Sequence, residues 1–289
     1  MIEHVLLTRF NLPSAGAESF IRARDGWLRN RIELFETYTV PSVAAQTEPI
    51  QWLVYVDHES PQWLLDRLLP LQDRGLLKLL GRQEVTKTDL LADIEEVLSP
   101  GTTRVLTSNL DNDDAIARDF STRLRRAAEP PGAAAIYLDY GLVGDSDGVY
   151  LRRDVSNAFC SAISDRPLTL TCWEDWHNRL DRHMAVRHIS DRAPGWLQVI
   201  HTTNVSNRVR GQLTSPARYA ALFPGQLDGL GEPSRSRLLK DRLLGHPSRT
   251  GRDAARGLIR GSIVAVAGKD GLTDLKSSAA QLSSRLRRG

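Results

Sequence analysis

The stretch TTRVLTSNLDNDDA, residues 102–115, decides the fold, because a strand-like run leads directly into a cluster of Asp and Asn. The run predicts a strand over residues 102–110, and the pattern that follows predicts a helix from Ala115 to Ala128. Ligands of open α/β sheets bind at the carboxyl ends of the strands. The sequence therefore predicts an acidic cluster at the ligand-binding edge of an α/β sheet.

Strand-like and helix-like segments alternate before this stretch. We expect strands over residues 4–10, 50–57 and 76–81, and helices over residues 17–38 (with Pro41 as the limit), 61–72 and 88–98. Alternation of this kind is typical of crossover helices that pack on a parallel sheet. We predict an α/β fold of the Rossmann type, with a mixed, mostly parallel sheet flanked by helices.

The pattern becomes mixed after Pro130. Residues 133–143 and 148–155, joined by the turn-forming segment GDSD, predict a β-hairpin, and residues 194–204 predict one more strand that runs into a loop. Beyond about residue 206 the sequence becomes polar. We therefore expect a catalytic domain over residues 1–210 and a basic, partly helical C-terminal extension over residues 211–289.

Composition narrows the class of protein. With 41% hydrophobic and 25% charged residues, the chain can build a sizeable core, which excludes a wholly disordered protein. No secretory signal pattern and no run of roughly 18 apolar residues is visible, and two cysteines are too few for a disulfide framework. We expect a cytoplasmic protein that can also lie peripherally at the inner face of the membrane.

The C-terminal part has its own charge balance. The net charge is +3, yet the residues from Arg235 to the end hold 13 Lys or Arg against 4 Asp, which leaves the preceding residues at a net −6. Such a basic segment can be a solvated face or a flexible end, and it also suits anionic phospholipid or an acidic polymer. Sequence alone leaves both readings open.

The segment LDNDDA is a candidate metal site. Asp111 and Asp113 are two positions apart, so in an extended segment both carboxylates lie on one side. Mn²⁺ or Mg²⁺ bound by two carboxylates completes its coordination with water and substrate phosphates, which implies a diphosphate ligand. The alternative is that Asp113 or Asp114 caps a helix that starts at Ala115. A calcium loop of the EF-hand type is excluded, because Ile116 and Thr122 stand where Gly and Glu are required.

Several blocks together resemble one family. They are LLTRFN, WLRNRIELFETYTVPSVAAQT, WLVYVDHESP, SNLDNDDA and WLQVIHTTNVSN, in this order over roughly residues 3–210. The chain resembles the bacterial family of putative rhamnosyltransferases, whose fold is the GT-A glycosyltransferase fold. The resemblance implies transfer of a sugar, with rhamnose as a candidate, from a nucleotide-diphosphate donor to a glycan or lipid-linked acceptor.

The resemblance also implies roles for individual residues. Asp111 and Asp113 correspond to the motif that grips the ribose and, through the metal, the diphosphate. Arg9, Asn11 and Asp57 lie where the family holds the nucleotide, and His201 lies where many GT-A enzymes have a third metal ligand, although a lone His is often structural. Asn204 and Ser206 are candidates for hydrogen bonds to the sugar or diphosphate. Asn109 stands where the family often has Arg, so a charge contact to phosphate is missing or comes from elsewhere.

The segment CWEDWH offers a catalytic base. An inverting transferase needs a group that takes the proton of the acceptor hydroxyl, and Glu174 and Asp175 are candidates. Trp173 and Trp176 beside them suit a sugar ring and can raise the pKa of a neighbouring carboxylate by desolvation. The alternative is that both Trp residues pack in the core and the carboxylates lie on a solvated helix. A retaining enzyme requires no such base.

Two other functions compete with sugar transfer. A nucleotidyltransferase also uses paired carboxylates and Mg²⁺, but it normally has a Gly-rich basic loop after the first strand, which LLTRFNLPSAG lacks. A non-catalytic protein that binds nucleic acid or a membrane surface through the basic tail is the other alternative. We expect no nucleic-acid partner, because no groove-reading motif or aromatic stacking platform accompanies the basic residues.

Overall fold

Two β-sheets, one of seven strands and one of five, form the framework of the protein. The computed structural model describes residues 1–13, 26–201 and 209–252. The strands in these ranges are β1 (Ile2–Arg9), β2 (Gln51–Asp57), β3 (Lys78–Arg82), β4 (Arg104–Asn109), β5 (Ala115–Ile116), β6 (Ala134–Leu138), β7 (Tyr140–Asp145), β8 (Gly148–Arg153), β9 (Ser161–Asp165), β10 (Ala185–Ile189), β11 (Trp196–Val199) and β12 (Gln212–Thr214). The α-helices are α1 (Trp27–Leu34), α2 (Val40–Ala44), α3 (Gln62–Asp73), α4 (Lys87–Val97), α5 (Phe120–Ala128) and α6 (Arg235–Lys240).

The seven-stranded sheet carries the α/β part of the fold. Its order is β10-β6-β9-β4-β1-β2-β3, and every neighbouring pair is parallel except those of β9 with β4 and with β6. The order β3-β2-β1-β4 is that of Rossmann-type sheets. In such a sheet β2 and β3 lie on one side of β1, and β4, the next strand in the chain, lies on its other side. The predicted mixed, mostly parallel sheet flanked by helices is confirmed.

Helices cover both faces of this sheet. Leu6 of β1 belongs to the same apolar cluster as Phe35, Leu64 and Leu124, so the helical segment around α1, together with α3 and α5, covers one face. Val5 and Leu7 of β1 point to the opposite face and share a cluster with Leu90 and Ile94 of α4. Burial on both faces explains why consecutive residues of β1, β2 and β4 are buried, and not every second residue.

The first described helix does not end at Pro41, contrary to our prediction. Helical residues run from α1 through a π-helical turn, Phe35–Thr39, into α2. In this turn the backbone N–H of Val40 donates to the carbonyl of Phe35. Pro41 lies at the start of α2, where its missing N–H is tolerated. The predicted start of the helix at residue 17 falls in residues 14–25, outside the described residues.

The five-stranded sheet corrects two further predictions. The hairpin consists of β7 and β8 alone, whereas β6 belongs to the other sheet and pairs with β9 and β10. The helix predicted from Ala115 begins instead at Phe120, because Ala115 and Ile116 form β5 and pair antiparallel with β11. Both residues are buried, and the pairing satisfies their backbone groups in the interior.

The described part of the C-terminal extension is joined to the second sheet. β12 pairs antiparallel with β8, and Tyr219, Phe223 and Leu227 pack in a cluster with Leu142 and Leu197. A helical segment then begins with α6 and includes the π-helical turn Asp241–Gly245. The division at residue 210 stays a prediction, and residues 253–289 lie outside the described residues. Among the helices within the described ranges, none combines the length and apolarity needed to cross a bilayer.

Candidate functional site

The carboxyl ends of three parallel strands define the candidate site. β1 lies between β2 and β4, with Arg9 in register with Tyr55 and Leu7 in register with Asn109. Arg9 therefore lies at the same edge of the sheet as Asp57, which ends β2, and Asp111, which follows β4. This edge is where open α/β sheets bind their ligands.

The acidic cluster is built on a turn, not on the extended segment that we predicted. The backbone N–H of Asp114 lies 3.4 Å from the carbonyl oxygen of Asp111, which closes the turn. Asp111 is exposed, whereas Asp113 and Asp114 are buried. The helix-capping alternative is wrong, because α5 begins at Phe120, six residues after Asp114, and Asp114 Oδ1 accepts a 2.8 Å hydrogen bond from the backbone N–H of Val199.

Asp113 is shared by two basic side chains. Arg31 Nη1 forms an ion pair with Asp113 Oδ2, and His201 Nε2 lies 2.9 Å from the same oxygen. Only 12% of the Arg31 side chain is exposed and 8% of that of Asp113, so the pair is shielded from water. Burial alone raises the pKa of Asp113, but the hydrogen bond to His201 and the charge of Arg31 outweigh it and hold that pKa below its usual value. Asp113 is therefore a carboxylate at neutral pH.

Its two acidic neighbours behave in the opposite way. Loss of solvation raises the pKa of Asp114 well above the usual range, and the charges of Asp113 and Asp111 raise it further. Loss of solvation also raises the pKa of Asp111, and the charge of Asp113 raises it further, although residue Asp111 is partly open to solvent. The carboxyl groups of Asp111, Asp113 and Asp114 repel one another, and a bound cation would relieve this repulsion.

The donor set suits a hard divalent cation. Asp111 and Asp113 offer carboxylate oxygens and His201 an imidazole nitrogen, which are ligands acceptable to Mn²⁺. Within residues 1–13, 26–201 and 209–252, no three His, Cys, Asp or Glu side chains are already gathered as a ligand set. Mg²⁺ and Mn²⁺ need only one or two carboxylates when water and phosphate complete the coordination, so the residues fit such an ion. The metal site stays a prediction.

A chain of contacts connects Arg9 with the acidic turn. The guanidinium carbon of Arg9 lies 3.9 Å from the centroid of the Trp173 ring, and Trp173 Nε1 donates a 2.8 Å hydrogen bond to Asn109 Oδ1. Asn109 Nδ2 in turn donates to Asp111 Oδ1 at 3.4 Å. Asn109 therefore positions Trp173 and Asp111, and Arg9 supplies positive charge at this edge of the sheet.

Asn11 connects the loops that follow β1 and β2. Its Oδ1 accepts from the backbone N–H of Asp57 at 3.1 Å, and its Nδ2 donates to Ser60 Oγ at 3.0 Å. Asp57 Oδ1 accepts from the backbone N–H of Glu59 at 3.0 Å, and His58 Nδ1 lies 3.3 Å away. These contacts give Asn11 and Asp57 a structural role in shaping the edge, while a role in nucleotide binding stays a prediction.

Glu174 and Asp175 lie in a loop and not on a helix. Glu174 Oε1 is 2.7 Å from Lys87 Nζ at the start of α4, and Asp175 Oδ2 is 3.2 Å from His183 Nε2. The expected rise in a carboxylate pKa is wrong for Asp175, because the backbone N–H of Trp176 and the His183 ring lower the pKa of Asp175. Trp176 is 71% exposed and leaves that carboxylate hydrated. Trp173, by contrast, contacts the site directly.

The sequence did not predict two residues of the site, Arg31 and Asn112. Arg31 contacts Asp113 from α1, and Asn112 accepts a 3.2 Å hydrogen bond from Arg31 while donating to the carbonyl of Phe10 beyond β1. Arg31 stands on a helix rich in charged residues, where nothing in the sequence marks it as buried. Asn204 and Ser206 lie in residues 202–208, outside the described residues.

One family model matches most of the chain. The family described as "Putative rhamnosyl transferase" matches residues 3–213. Comparison with curated protein sequences found no match.

Three solved structures give partial matches to this chain, each with a TM-score below 0.5. TarS 1–349 of S. aureus is 10% identical, with a TM-score of 0.41, 68% of this chain covered and 60% of that chain. Mannosyltransferase PcManGT of Pyrobaculum calidifontis, solved with GDP-Man and Mn²⁺, is 13% identical, with a TM-score of 0.42 and coverage of 96% and 80%. An inositol-1-phosphate CTP transferase of T. maritima is 10% identical, with a TM-score of 0.35 and coverage of 79% and 98%. This chain spans 60% of the TarS chain that it matches.

Proposed function

The chain belongs to the family described as putative rhamnosyl transferase, and from this membership we propose that it is a metal-dependent glycosyltransferase. It transfers a sugar from a nucleotide-diphosphate donor to a hydroxyl of a glycan or a lipid-linked acceptor. Rhamnose is the sugar that the family description suggests. The observation that carries the proposal is Asp113, a buried carboxylate at the carboxyl edge of the sheet, in contact with Arg31 and His201.

The donor would bind along the edge formed by β1, β2 and β4. Arg9 presents an exposed guanidinium beside this edge, held over Trp173, and its charge suits a diphosphate. Asn11 and Asp57 fix the neighbouring loops at the ends of β1 and β2, where a nucleoside would lie. Asn204 is a further candidate for this role from the sequence.

Asp111, Asp113 and His201 would hold the divalent cation, Mn²⁺ or Mg²⁺, which when bound stabilises negative charge on the departing diphosphate. The repulsion that Asp113 exerts on Asp111 and Asp114 supports this assignment, because a cation would relieve it. Arg31 balances the charge of Asp113 and keeps its carboxylate oriented.

The acceptor hydroxyl has to lose a proton when it attacks the anomeric carbon in an inverting reaction, and we propose Glu174 or Asp175 as the base. Both lie in the loop of Trp173, which contacts Arg9 and Asn109 at the site. The lowered pKa of Asp175 keeps it ionised at neutral pH, so it is able to accept a proton, although it is a weak base. Exposed Trp176 beside it offers an apolar surface for a sugar ring.

Calorimetric titration with UDP, GDP and dTDP, each with Mn²⁺ and again with EDTA, tests the proposal. We expect one nucleotide to bind with the metal and not with EDTA, and the binding to disappear in Asp113→Ala. The nucleotide that binds identifies the donor class. Absence of binding by all three, with and without metal, would overturn the proposal.

A second assay separates sugar transfer from nucleotidyl transfer. The protein is incubated with a sugar 1-phosphate and each nucleoside triphosphate, and released pyrophosphate is measured. A glycosyltransferase releases none, whereas a nucleotidyltransferase releases one pyrophosphate for each nucleotide transferred.

A further inference from the structure

Three leucines are exposed together on the C-terminal helical segment. Leu239 is 58% exposed, Leu243 is 63% exposed and Leu244 is 65% exposed. Leu239 and Leu243 are four positions apart and therefore lie on the same side of the helical segment, with Leu244 next to them. We call these three residues the leucine face. Large apolar side chains grouped on a surface mark an interaction site more often than single ones do.

The opposite side of this segment is firmly attached to the protein. Asp241 is buried and accepts hydrogen bonds from the backbone N–H of Leu213 in β12 and, with both oxygens, from Arg249. Arg249 also donates to the carbonyl of Gly211 and lies over the Tyr150 ring. Leu238 packs against the main core. The leucine face is thus held outward by a docked segment.

The segment that carries the leucine face is itself basic, although exposed Glu232 precedes it and Arg237 contacts the turn of exposed Asp147. Between residues 233 and 252 the sequence has six Arg or Lys and one acidic residue, Asp241, which is buried against Arg249. The exposed basic residues are Arg235, Arg237, Lys240, Arg242 and Arg252. Exposed leucines bordered by Lys and Arg are the pattern of a segment that lies in the interface of an anionic bilayer.

We propose that the leucine face and its basic border dock the protein on an anionic phospholipid surface. The leucines enter the headgroup region, and the basic side chains contact lipid phosphates. Two other groups could cover the leucine face, a second copy of the protein and residues 253–289 of the same chain, and charge favours anionic lipid over both. A second copy would oppose the same basic border to itself, and residues 253–289 are themselves basic, with seven Lys or Arg and three Asp. The proposal does not depend on the proposed function.

Vesicle flotation with the full-length protein tests the proposal. The probes are vesicles of phosphatidylcholine alone and of phosphatidylcholine mixed with phosphatidylglycerol. The wild type should float only with the anionic vesicles, and Leu239→Gln/Leu243→Gln/Leu244→Gln should bind them roughly tenfold more weakly or worse. Arg235→Gln/Lys240→Gln/Arg242→Gln should bind the anionic vesicles more weakly than the wild type at low salt, and this difference should shrink as the salt concentration is raised.

Matched controls show whether weaker vesicle binding by the leucine variant comes from the leucine face itself. The two other causes to be separated are unfolding of the variant and a general loss of exposed apolar surface. Leu69→Gln/Val155→Gln alters two other exposed apolar residues and should float like the wild type. Thermal unfolding should be the same in all variants, and nucleotide binding measured by calorimetry reports on the proposed function separately. Equal flotation of the wild type and the leucine variant, or no flotation of the wild type, would overturn the proposal. So would a wild-type dimer that the leucine variant converts to a monomer, because the face then binds a second copy.

Discussion

His201 Nε2 lies 2.9 Å from Asp113 Oδ2, although 88 positions separate the two residues in the chain. The same carboxylate oxygen is paired with Arg31 from α1. Asp113 therefore ties together α1, the turn after β4 and the segment after β11, and its charge is used both in folding and in the proposed chemistry.

Asp113→Asn should abolish metal-dependent nucleotide binding, because the substitution keeps the shape of the side chain and removes its charge. It should also lower the free energy of unfolding by about 3 kcal/mol, since the largely buried Arg31 side chain loses its charged partner. Calorimetry with Mn²⁺ and urea unfolding measure the two effects. Asp147→Asn, at an exposed turn, is the control and should change neither. Normal nucleotide binding by a folded Asp113→Asn protein would contradict the site.

The pairing of Arg31 with Asp113 should appear as an energetic coupling. In a cycle of Arg31→Met, Asp113→Asn and the double variant, the double variant should be more stable than the sum of the single effects implies, by about 1–3 kcal/mol. The more exposed pair of Lys78 and Glu96 provides a matched cycle, where the coupling should stay below about 1 kcal/mol. Equal couplings in the two urea-unfolding cycles would show that burial adds nothing to the Arg31 pair.

Trp173→Leu should weaken nucleotide binding by roughly fivefold to tenfold, because Arg9 loses the ring beneath it and Asn109 loses its donor. Trp176→Leu changes a neighbouring Trp that is mostly exposed, and it should leave nucleotide affinity unchanged. Calorimetric titrations of both variants with the nucleotide that the wild type binds make the comparison. If both variants bind the nucleotide like the wild type, the contact of Arg9 with Trp173 does not contribute to binding of the nucleotide donor.

Local patterns predicted the parts of this fold that local patterns determine. The buried strands β1, β2 and β4 and the position of the acidic turn at their edge follow from apolar runs that end in polar residues, and all three strands are present. The pattern could not assign β6 to the seven-stranded sheet, since a buried apolar strand fits either of the two sheets equally well. It also could not reveal Arg31, because only the packing of α1 against the turn buries that residue beside Asp113.

Gly141 should tolerate no side chain. A Cβ added there would lie 1.9 Å from the ring of Trp196, which is held by stacking on Phe159 and by a 2.9 Å hydrogen bond to the carbonyl of Leu138. Gly141→Ala should destabilise the protein by about 3 kcal/mol. Gly144→Ala, in the same strand β7, meets only a leucine methyl at 3.3 Å and should cost less than about 1 kcal/mol in urea unfolding. The same loss in both variants would mean that Trp196 can move aside.

His4 should make the stability depend on pH. Its ring is fully buried between Ser108 and Ser121, each with Oγ at 2.8 Å from a ring nitrogen. Burial, with a smaller effect of Arg125, lowers the pKa of His4 from 6.5 to about 3. The unfolded chain therefore takes up a proton below pH 6.5 that the folded protein does not accept until about pH 3.

This difference stabilises the folded protein above pH 6.5 and is lost progressively as the pH falls toward 3. Between pH 7 and pH 5, His4 should account for a loss of about 2 kcal/mol in the free energy of unfolding. Urea unfolding of the wild type and of His4→Gln at both pH values measures it. The variant is expected to be less stable at pH 7 but to lose about 2 kcal/mol less on acidification, because every other titrating group is common to both proteins. Parallel losses in the two proteins would mean that the buried imidazole takes up its proton as readily as in the unfolded chain, with Ser108 and Ser121 accepting hydrogen bonds from its two N–H groups.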